Sequence, residues 1–459
     1  MSHMQVDLTR DKILKSILIF ALPILVSNIF QQLYNTIDIM VVGNYLGDNS
    51  LAAIGACSSI YELLMNFAFG VGNGLSIVAA RCYGKGDENL LKRSIAGSLV
   101  IWAALSAVLV IFSRFGLLPM LRLLKTPDNI LAEAYSYIST ITLFTAVMFG
   151  YNLCSGFLRA IGNSFMPLIF LIISSVGNIL LDLLFITRLH MGIRGAAIAT
   201  VLAQGFSVVL CLLYIFRYAK ILIPSWKHFR TGKALTFELL TQGFSMGFMS
   251  AVVCSGTVIL QRSINKLGEV YIACHTTARK MNSFFFLPCG TTAAATSTFV
   301  SQNRGAGHMD RIREGVWKAC LITICWGVFA TLFLAFFARP VASLFGSSDP
   351  VILDNASLYI RFSSFFYGVL GTLFTLRHTL QALGDRIRPI ISSIIELVGK
   401  ILFATFIVPL LGYWGVIICE PLIWCVMAAQ LLYTYLHNTS VFPAGSYFRQ
   451  RNLEKENRE

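Results

Sequence analysis

Long apolar stretches alternate with short polar segments along the whole chain. Twelve of these stretches each provide the roughly 20 apolar residues that an α-helix needs to cross a bilayer. The predicted membrane spans are 13–42, 50–80, 94–113, 131–158, 165–187, 194–217, 237–265, 270–301, 315–338, 352–380, 389–411 and 414–437. The pattern therefore predicts an all-α polytopic membrane protein with twelve transmembrane helices.

Composition supports this prediction and excludes other classes. Of the 459 residues, 56% are apolar and only 13% are charged, and the mean hydropathy is +0.71, well above that of a soluble domain. The formal net charge is +14, but the basic residues are scattered through short loops and do not form a stripe. Nucleic acid is therefore excluded as a partner, and the lipid bilayer is expected instead.

The distribution of basic residues predicts the orientation in the membrane. Most of the 36 Lys and Arg residues lie near the N-terminus, in the even-numbered turns and in the C-terminal tail. Loops rich in Lys and Arg stay in the cytoplasm. An even number of spans places both termini on one side, so both are expected to be cytoplasmic.

The chain contains an internal repeat. Ser76–Arg93 recurs as Ser297–Glu314, about 220 residues later. Leu158–Gly162 likewise corresponds to Leu380–Gly384. We therefore expect two six-helix lobes with the same orientation, related by a pseudo-two-fold axis along the membrane normal, as in alternating-access transporters.

The predicted division of the chain follows from this repeat. The N-lobe covers 1–217 and the C-lobe covers 237–438. Between them lies a basic cytoplasmic linker, 218–236, and a cytoplasmic tail follows at 439–459.

Ionisable and polar side chains inside the spans are candidates for a functional site. Asp38 lies on span 1, Asn178 and Asp182 share one face of span 5, and Thr200 lies on span 6. Asp38, Asp182 and Thr200 are predicted at a similar depth below the outer surface. Two carboxylates, an amide and a hydroxyl suit Na⁺, with Asp38 and Asp182 as its charged ligands, while H⁺ would equally relieve the repulsion between the carboxylates. The alternative is that these groups hydrogen-bond between helices.

Span 1 carries two further features. Pro23 interrupts it and predicts a kink, which serves either as a hinge or as a passive bend. The polar residues Gln31, Gln32, Tyr34 and Asn35 follow this proline. They are candidates for lining a watery cavity, or for bonding to neighbouring helices.

The second half departs from this pattern. Lys400 aligns with Asn178, and Glu420 aligns with Thr200. Glu396 lies one helical turn before Lys400. Lys400 is therefore expected to be a built-in counter-ion for Glu396 or Glu420, which would fix the charge of this half, although an ordinary ion pair is the alternative.

Motifs for other chemistries are missing from the sequence. The chain has no G-x-x-x-x-G-K-[ST] phosphate loop and no H-E-x-x-H. We therefore expect a protein that is not an enzyme, has no cofactor and is driven by an ion gradient or by a partner protein.

Several short sequence fragments recur in one known family. They are Leu33-Tyr34-Asn35 with Asp38, Tyr83-Gly84-Lys85-Gly86, Gly177-Asn178 with Asp182, and Gln302–Gly307. Together these fragments resemble the multidrug and toxic compound extrusion (MATE) family, in particular its DinF-like bacterial branch. The resemblance implies two lobes around a central cavity, the bacterial cytoplasmic (inner) membrane, and export of organic cations in exchange for Na⁺ or H⁺. It also assigns the coupling-ion site to Asp38, Asn178, Asp182 and Thr200.

The sequence thus predicts a secondary antiporter, sufficient as a monomer, for small amphipathic and cationic organic compounds. A flippase for a lipid-linked precursor is the first alternative, because Arg262, Arg279, Lys280 and Arg361 could contribute to a basic cavity. A channel or membrane scaffold is the second.

Overall fold

A computed structural model describes residues 5–123, 126–345, 349–447 and 449–450. These residues are helical with short connections, and none of them forms a β-strand. The α-helices are α1 Ile13–Leu46, α2 Asp48–Gly84, α3 Glu88–Phe115, α4 Leu117–Leu123, α5 Asp128–Leu143, α6 Thr145–Ala160, α7 Phe165–Leu183, α8 Gly192–Tyr218, α9 Lys233–Asn265, α10 Glu269–Ala306, α11 Met309–Ser343, α12 Pro350–Ser364, α13 Tyr367–Ala382, α14 Ile387–Leu402, α15 Val408–Leu411 and α16 Tyr413–Leu436.

Apart from the short α4, these helices fall at the twelve predicted spans. Nine stretches of the described chain are long and apolar enough to cross a membrane as they stand, and the pair α5 and α6, bent by 46°, makes a tenth. The remaining two predicted spans coincide with α10 and with the pair α12 and α13. Helix α10 is less apolar, and α12 and α13 are individually short, so neither stretch qualifies by composition and length alone.

The two halves repeat the same backbone irregularities. Four pairs of glycines about 220 residues apart have positive φ, a conformation that side chains with a Cβ avoid. The pairs are Gly47 with Gly268, Gly86 with Gly307, Gly162 with Gly384, and Gly192 with Gly412. Short π-helical segments also match, Leu184–Arg188 after α7 and Phe403–Ile407 after α14. The duplication predicted from sequence is therefore present in the backbone.

Contacts divide the chain into two compact units. The first contains Leu22–Ala251 together with the chain up to Val6, and the second contains Asp7–Ala21 and the chain from Val252 onward. The start of α1 thus groups with the second unit, and the start of α9 groups with the first. The lobe boundaries predicted at 217 and 237 follow the order of the spans along the chain, and they stay a prediction. The end of the predicted tail, 451–459, lies outside the described residues.

Closely packed glycines join α2 and α9 within the first unit. Each helix carries two glycines four residues apart, Gly70 and Gly74 on α2 and Gly243 and Gly247 on α9. A Cβ on Gly74 would lie only 2.6 Å from the carbonyl oxygen of Gln242. Small residues at this spacing let helix backbones approach closely in a membrane.

An ion pair reinforces this packing. Arg81 Nη2 lies 2.7 Å from Glu238 Oε2, and it joins the end of α2 to the start of α9. The first part of α9 is therefore fixed on the first unit by backbone contact and by charge.

Candidate functional site

Helices α1, α7 and α8 meet at the candidate site in the first unit. Val42 on α1 is fully buried and packs with Ala196 on α8 and with Ile186, in the π-helical turn that follows α7. This apolar cluster lies one helical turn beyond Asp38 on α1 and one turn beyond Asp182 at the end of α7. The packing therefore brings the two carboxyl groups together from opposite ends of the first repeat.

The carboxyl groups of Asp38 and Asp182 lie close enough to influence each other electrostatically. Asp182 has 0% of its surface exposed, and Asn178, one turn earlier, has 2%. Within the described residues no basic side chain forms an ion pair with either carboxylate. Two acidic groups thus share a buried position without a protein cation.

Several polar atoms at this position lack a hydrogen-bond partner among the described residues. They are Asp38 Oδ1, both carboxylate oxygens of Asp182, and Oδ1 and Nδ2 of Asn178. Unpaired buried oxygens are costly unless something else compensates them. Oxygen ligands from two carboxylates and an amide fit a hard monovalent cation, and the carboxylates alone fit a proton.

Thr200 is oriented differently. Its hydroxyl donates to the carbonyl oxygen of Ala196 at 3.1 Å within α8. In the described part of the chain it makes no hydrogen bond to Asp38 or Asp182. Because that bond uses the hydroxyl proton, what Thr200 can offer an ion is its oxygen lone pairs.

The second unit carries a buried network of alternating charges. Lys400 Nζ lies 3.0 Å from Glu396 Oε1 and 3.5 Å from Glu420 Oε1. Arg377 Nη2 lies 3.7 Å from the other oxygen of Glu396. Lys400 is 3% exposed and Arg377 4% exposed. The two carboxylates are therefore balanced by two cations from the protein itself.

Neutral groups complete this network. The hydroxyl of Tyr359 donates to Glu420 Oε2 at 3.1 Å. Lys400 also donates to the hydroxyl of Thr257 at 3.3 Å. Arg377 Nε donates to the hydroxyl of Ser392 at 3.0 Å. The charges are thus held in position from α9, α12, α13, α14 and α16.

Comparison with known proteins identifies the family. The MatE family model matches the chain twice, over residues 23–184 and again over 245–406, and together these matches cover more than half of the chain. This chain belongs to the MATE family. The double match also confirms the internal repeat, and membership confirms the prediction of a multi-pass membrane transporter that is not an enzyme.

Relatives and solved structures agree with this assignment. The probable multidrug resistance protein YpnP of Bacillus subtilis is 28% identical over 395 residues, covering 85% of this chain and 87% of YpnP. The multidrug export protein MepA of Staphylococcus haemolyticus is 25% identical over 443 residues, covering 93% and 92%. An outward-facing multidrug resistance MATE transporter matches with a TM-score of 0.88 at 22% identity over 98% of this chain and 99% of that structure. The last match shows the twelve-helix fold.

The first half of this MATE chain holds three tyrosines near Asp38, and two of them, Tyr61 and Tyr137, were not predicted from the sequence. Tyr34, Tyr61 and Tyr137 all lie within electrostatic range of Asp38. Tyr34 also accepts a hydrogen bond from Gln204 Nε2 at 3.5 Å. Tyr61 and Tyr137 come from α2 and α5, and no spacing in the sequence links them to Asp38.

The predicted cavity residues of α1 differ in their surroundings. Tyr34 is buried and pairs with Gln31 and Gln204, whereas Gln31 and Gln32 are half-buried and Asn35 is exposed. Their role in lining a cavity stays a prediction.

Pro23 lies inside α1, which continues as one helix through it. Its carbonyl oxygen accepts a hydrogen bond from the hydroxyl of Ser27 at 2.8 Å. Pro23 comes two residues after Ala21, where α1 passes from the second compact unit to the first. The hinge role of Pro23 stays a prediction, and this position is where a hinge would act.

Proposed function

We propose that the protein is a secondary active antiporter that exports small amphipathic, cationic organic compounds in exchange for Na⁺ or H⁺. The observation that carries this proposal is the buried pair of Asp38 and Asp182, whose carboxylates interact without a protein cation among the described residues. The site would lie in the bacterial cytoplasmic membrane, in a monomer whose two termini are cytoplasmic.

Electrostatics makes this pair dependent on an ion. Two carboxylates in contact repel each other, and burial removes the water that would otherwise screen them. A proton on one carboxyl, or Na⁺ between the two, relieves both penalties. An ion that binds here stabilises the arrangement of α1, α7 and α8 that brings the two groups together.

This dependence is the basis for coupling. An ion shifts a conformational equilibrium only by its difference in affinity between the two states. Asp38 and Asp182 lie on different helices, so any motion of α1 relative to α7 changes the ion's ligands directly. Substrate release then follows from the state that the ion favours.

The relatives support the substrate class. YpnP is described as a probable multidrug resistance protein and MepA as a multidrug export protein. Neither description points to a lipid-linked substrate. In addition, Arg361, one of the basic residues considered for a phosphate cavity, donates from Nε to the carbonyl oxygen of Leu334 at 3.4 Å.

Flux in proteoliposomes tests the proposal. The purified protein would be reconstituted, and the efflux of a fluorescent cationic dye measured under an imposed Na⁺ gradient and then under an imposed pH gradient. We expect one of the gradients to drive dye movement and expect Asp38→Asn and Asp182→Asn each to abolish it. The active gradient identifies the ion.

Asp128→Asn is the matched control, because it removes the same charge from an exposed position at the start of α5. It should transport like the wild type. Gradient-driven transport that persists in both site variants would contradict the assignment of the site. Folded wild-type protein that moves no tested cation under either gradient would contradict the antiport of cations.

A further inference from the structure

The segment between α8 and α9 is strongly basic and contains exposed aromatic side chains. From Arg217 to Leu235 the chain contains five Lys and Arg residues and no Asp or Glu. They are Arg217, Lys220, Lys227, Arg230 and Lys233. Because α8 and α9 are both long and apolar enough to span a membrane, this linker lies where the chain leaves one membrane surface and returns to it.

Buried contacts fix the linker on the first unit. Leu222 and Leu235 are buried in the same apolar cluster as Leu91 and Ile95 of α3. His228, only 4% exposed, lies 2.8 Å from the hydroxyl of Ser225 and 3.3 Å from Asn89 Oδ1 at the start of α3. The linker is therefore an ordered element and not a loose connection.

This attachment leaves an aromatic surface pointing away from the protein. Trp226 is 90% exposed and Phe229 is 40% exposed, and their ring centroids lie 5.7 Å apart. Both belong to the 3₁₀ turn Trp226–Phe229 that also contains the buried His228. Exposed Trp beside Lys and Arg is typical of the membrane interface, where the ring lies at headgroup level.

A cavity adjoins this surface. It has a volume of about 400 Å³ and is lined by Asp87, Asn89, Leu90, Arg93, Lys227 and His228. Asp87 caps α3 by accepting the backbone N–H of Leu90 at 2.9 Å. The exposed side chains of Arg93 and Lys227 contribute two positive charges.

We propose that the linker 218–236 is a docking surface for anionic phospholipids of the adjacent leaflet. Trp226 and Phe229 lie among the headgroups, and the phosphate of one lipid enters the cavity between Arg93 and Lys227. Basic residues close to an anionic bilayer attract it electrostatically, and the excess of cations over acids in the linker is the complementary charge. This interaction is independent of the transported substrate and of the coupling ion.

Quenching of Trp226 by brominated lipids tests this proposal. Wild-type protein and Trp226→Phe would be reconstituted in nanodiscs of brominated phosphatidylcholine, with or without brominated phosphatidylglycerol. The difference between the two proteins gives the contribution of Trp226. We expect quenching of Trp226 to increase when phosphatidylglycerol is present, and expect Lys227→Gln combined with Arg230→Gln and Lys233→Gln to remove that increase.

Controls separate specific docking from general charge effects. Lys266→Gln removes a basic residue from the exposed turn after α9, on the opposite side of the predicted membrane, and should keep the increase. The exchange Lys227→Arg with Arg230→Lys preserves charge and should also keep it, and shows that substitution in the linker does not disrupt folding.

Three outcomes would overturn the proposal. Trp226 could be unquenched in every lipid, which would place it in water. The increase could persist in the variant with three glutamines, which would remove the basic residues as its cause. Finally, inorganic phosphate added to phosphatidylcholine nanodiscs could produce the same change, which would identify a soluble anion as the ligand.

Discussion

Replacing Lys400 by methionine tests how the second unit balances its buried charges. The substitution keeps most of the volume of the side chain but removes the ammonium that lies between Glu396 and Glu420. It leaves two carboxylates, of which Glu396 keeps its ion pair with Arg377 and Glu420 keeps Arg279 within electrostatic range. The expected result is a substantial loss of stability.

The structure sets the size of this loss. Removing one partner of a buried ion pair costs about 3–5 kcal/mol, because the other charge stays buried without compensation. Here Glu396 keeps Arg377 at 3.7 Å, and Glu420 keeps the hydroxyl of Tyr359 at 3.1 Å. The side chain of Glu420 is also 21% exposed and can gain some water. We therefore expect about 3 kcal/mol, at the lower end of this range.

A double-mutant cycle identifies the cause. In Lys400→Met with Glu420→Gln, the remaining pair of Arg377 and Glu396 is neutral overall, so the double variant should recover a large part of the loss. The free energy of unfolding would be measured by denaturant titration in detergent, with helix content as the signal. Lys266→Met, at an exposed position, is the matched control and should change stability by no more than about 0.5 kcal/mol.

Two results would refute this reasoning. The first is a Lys400→Met protein that unfolds and transports like the wild type. The second is a double variant that is less stable than Lys400→Met alone, because charge imbalance would then not be the source of the loss.

Two further predictions concern the helices. Gly74→Ala should destabilise the protein by about 1–3 kcal/mol, because its Cβ would lie 2.6 Å from the carbonyl oxygen of Gln242 and α2 and α9 must separate. Gly55→Ala on α2, with nothing within 4 Å of the new Cβ, should leave stability unchanged. Thermal unfolding in detergent measures both variants. Pro23→Ala should restore a helix hydrogen bond in α1 and lower the rate of dye efflux without lowering thermal stability. Pro340→Ala in α11 should leave the efflux rate unchanged. If the efflux rate of Pro23→Ala equals that of Pro340→Ala, a hinge at Pro23 is excluded.

The sequence was sufficient for the order of the spans, because most of them satisfy their own length and hydropathy in lipid, although α10 and the pair α12 and α13 do not pass on these grounds alone. The repeat was visible for a related reason. Turns such as those at Gly86 and Gly307 require positive φ, and glycine satisfies this requirement best. Local constraints of this kind leave a signal at fixed positions along the chain.

Contacts between helices leave no such signal. Tyr61 and Tyr137 approach Asp38 only after α1, α2 and α5 have packed. Arg377 lies near the cytoplasmic end of a predicted span, where hydropathy cannot distinguish an exposed anchor from the buried partner of Glu396. The assignment of the start of α9 to the first unit depends on glycine packing and on the pair of Arg81 and Glu238, and the residues of that pair lie far apart in sequence.

The two repeats keep one backbone and distribute charge on it in opposite ways. After α7 and after α14 the helix changes to a short π-helical segment, which begins at Leu184 in the first half and at Phe403 in the second. Near this change Asn178 and Asp182 lie in the first half, and Lys400 and Ala404 occupy the positions 222 residues later in the second half. A covalently attached ammonium cannot leave, so Lys400 supplies permanent charge balance to Glu396 and Glu420. The pair of Asp38 and Asp182 has no such partner among the described residues, and under the proposed function an ion that binds reversibly would balance it. Under the proposed antiport, the first half would respond to an ion gradient while the second half keeps fixed charges, and divergence between two repeats would be enough to produce this asymmetry.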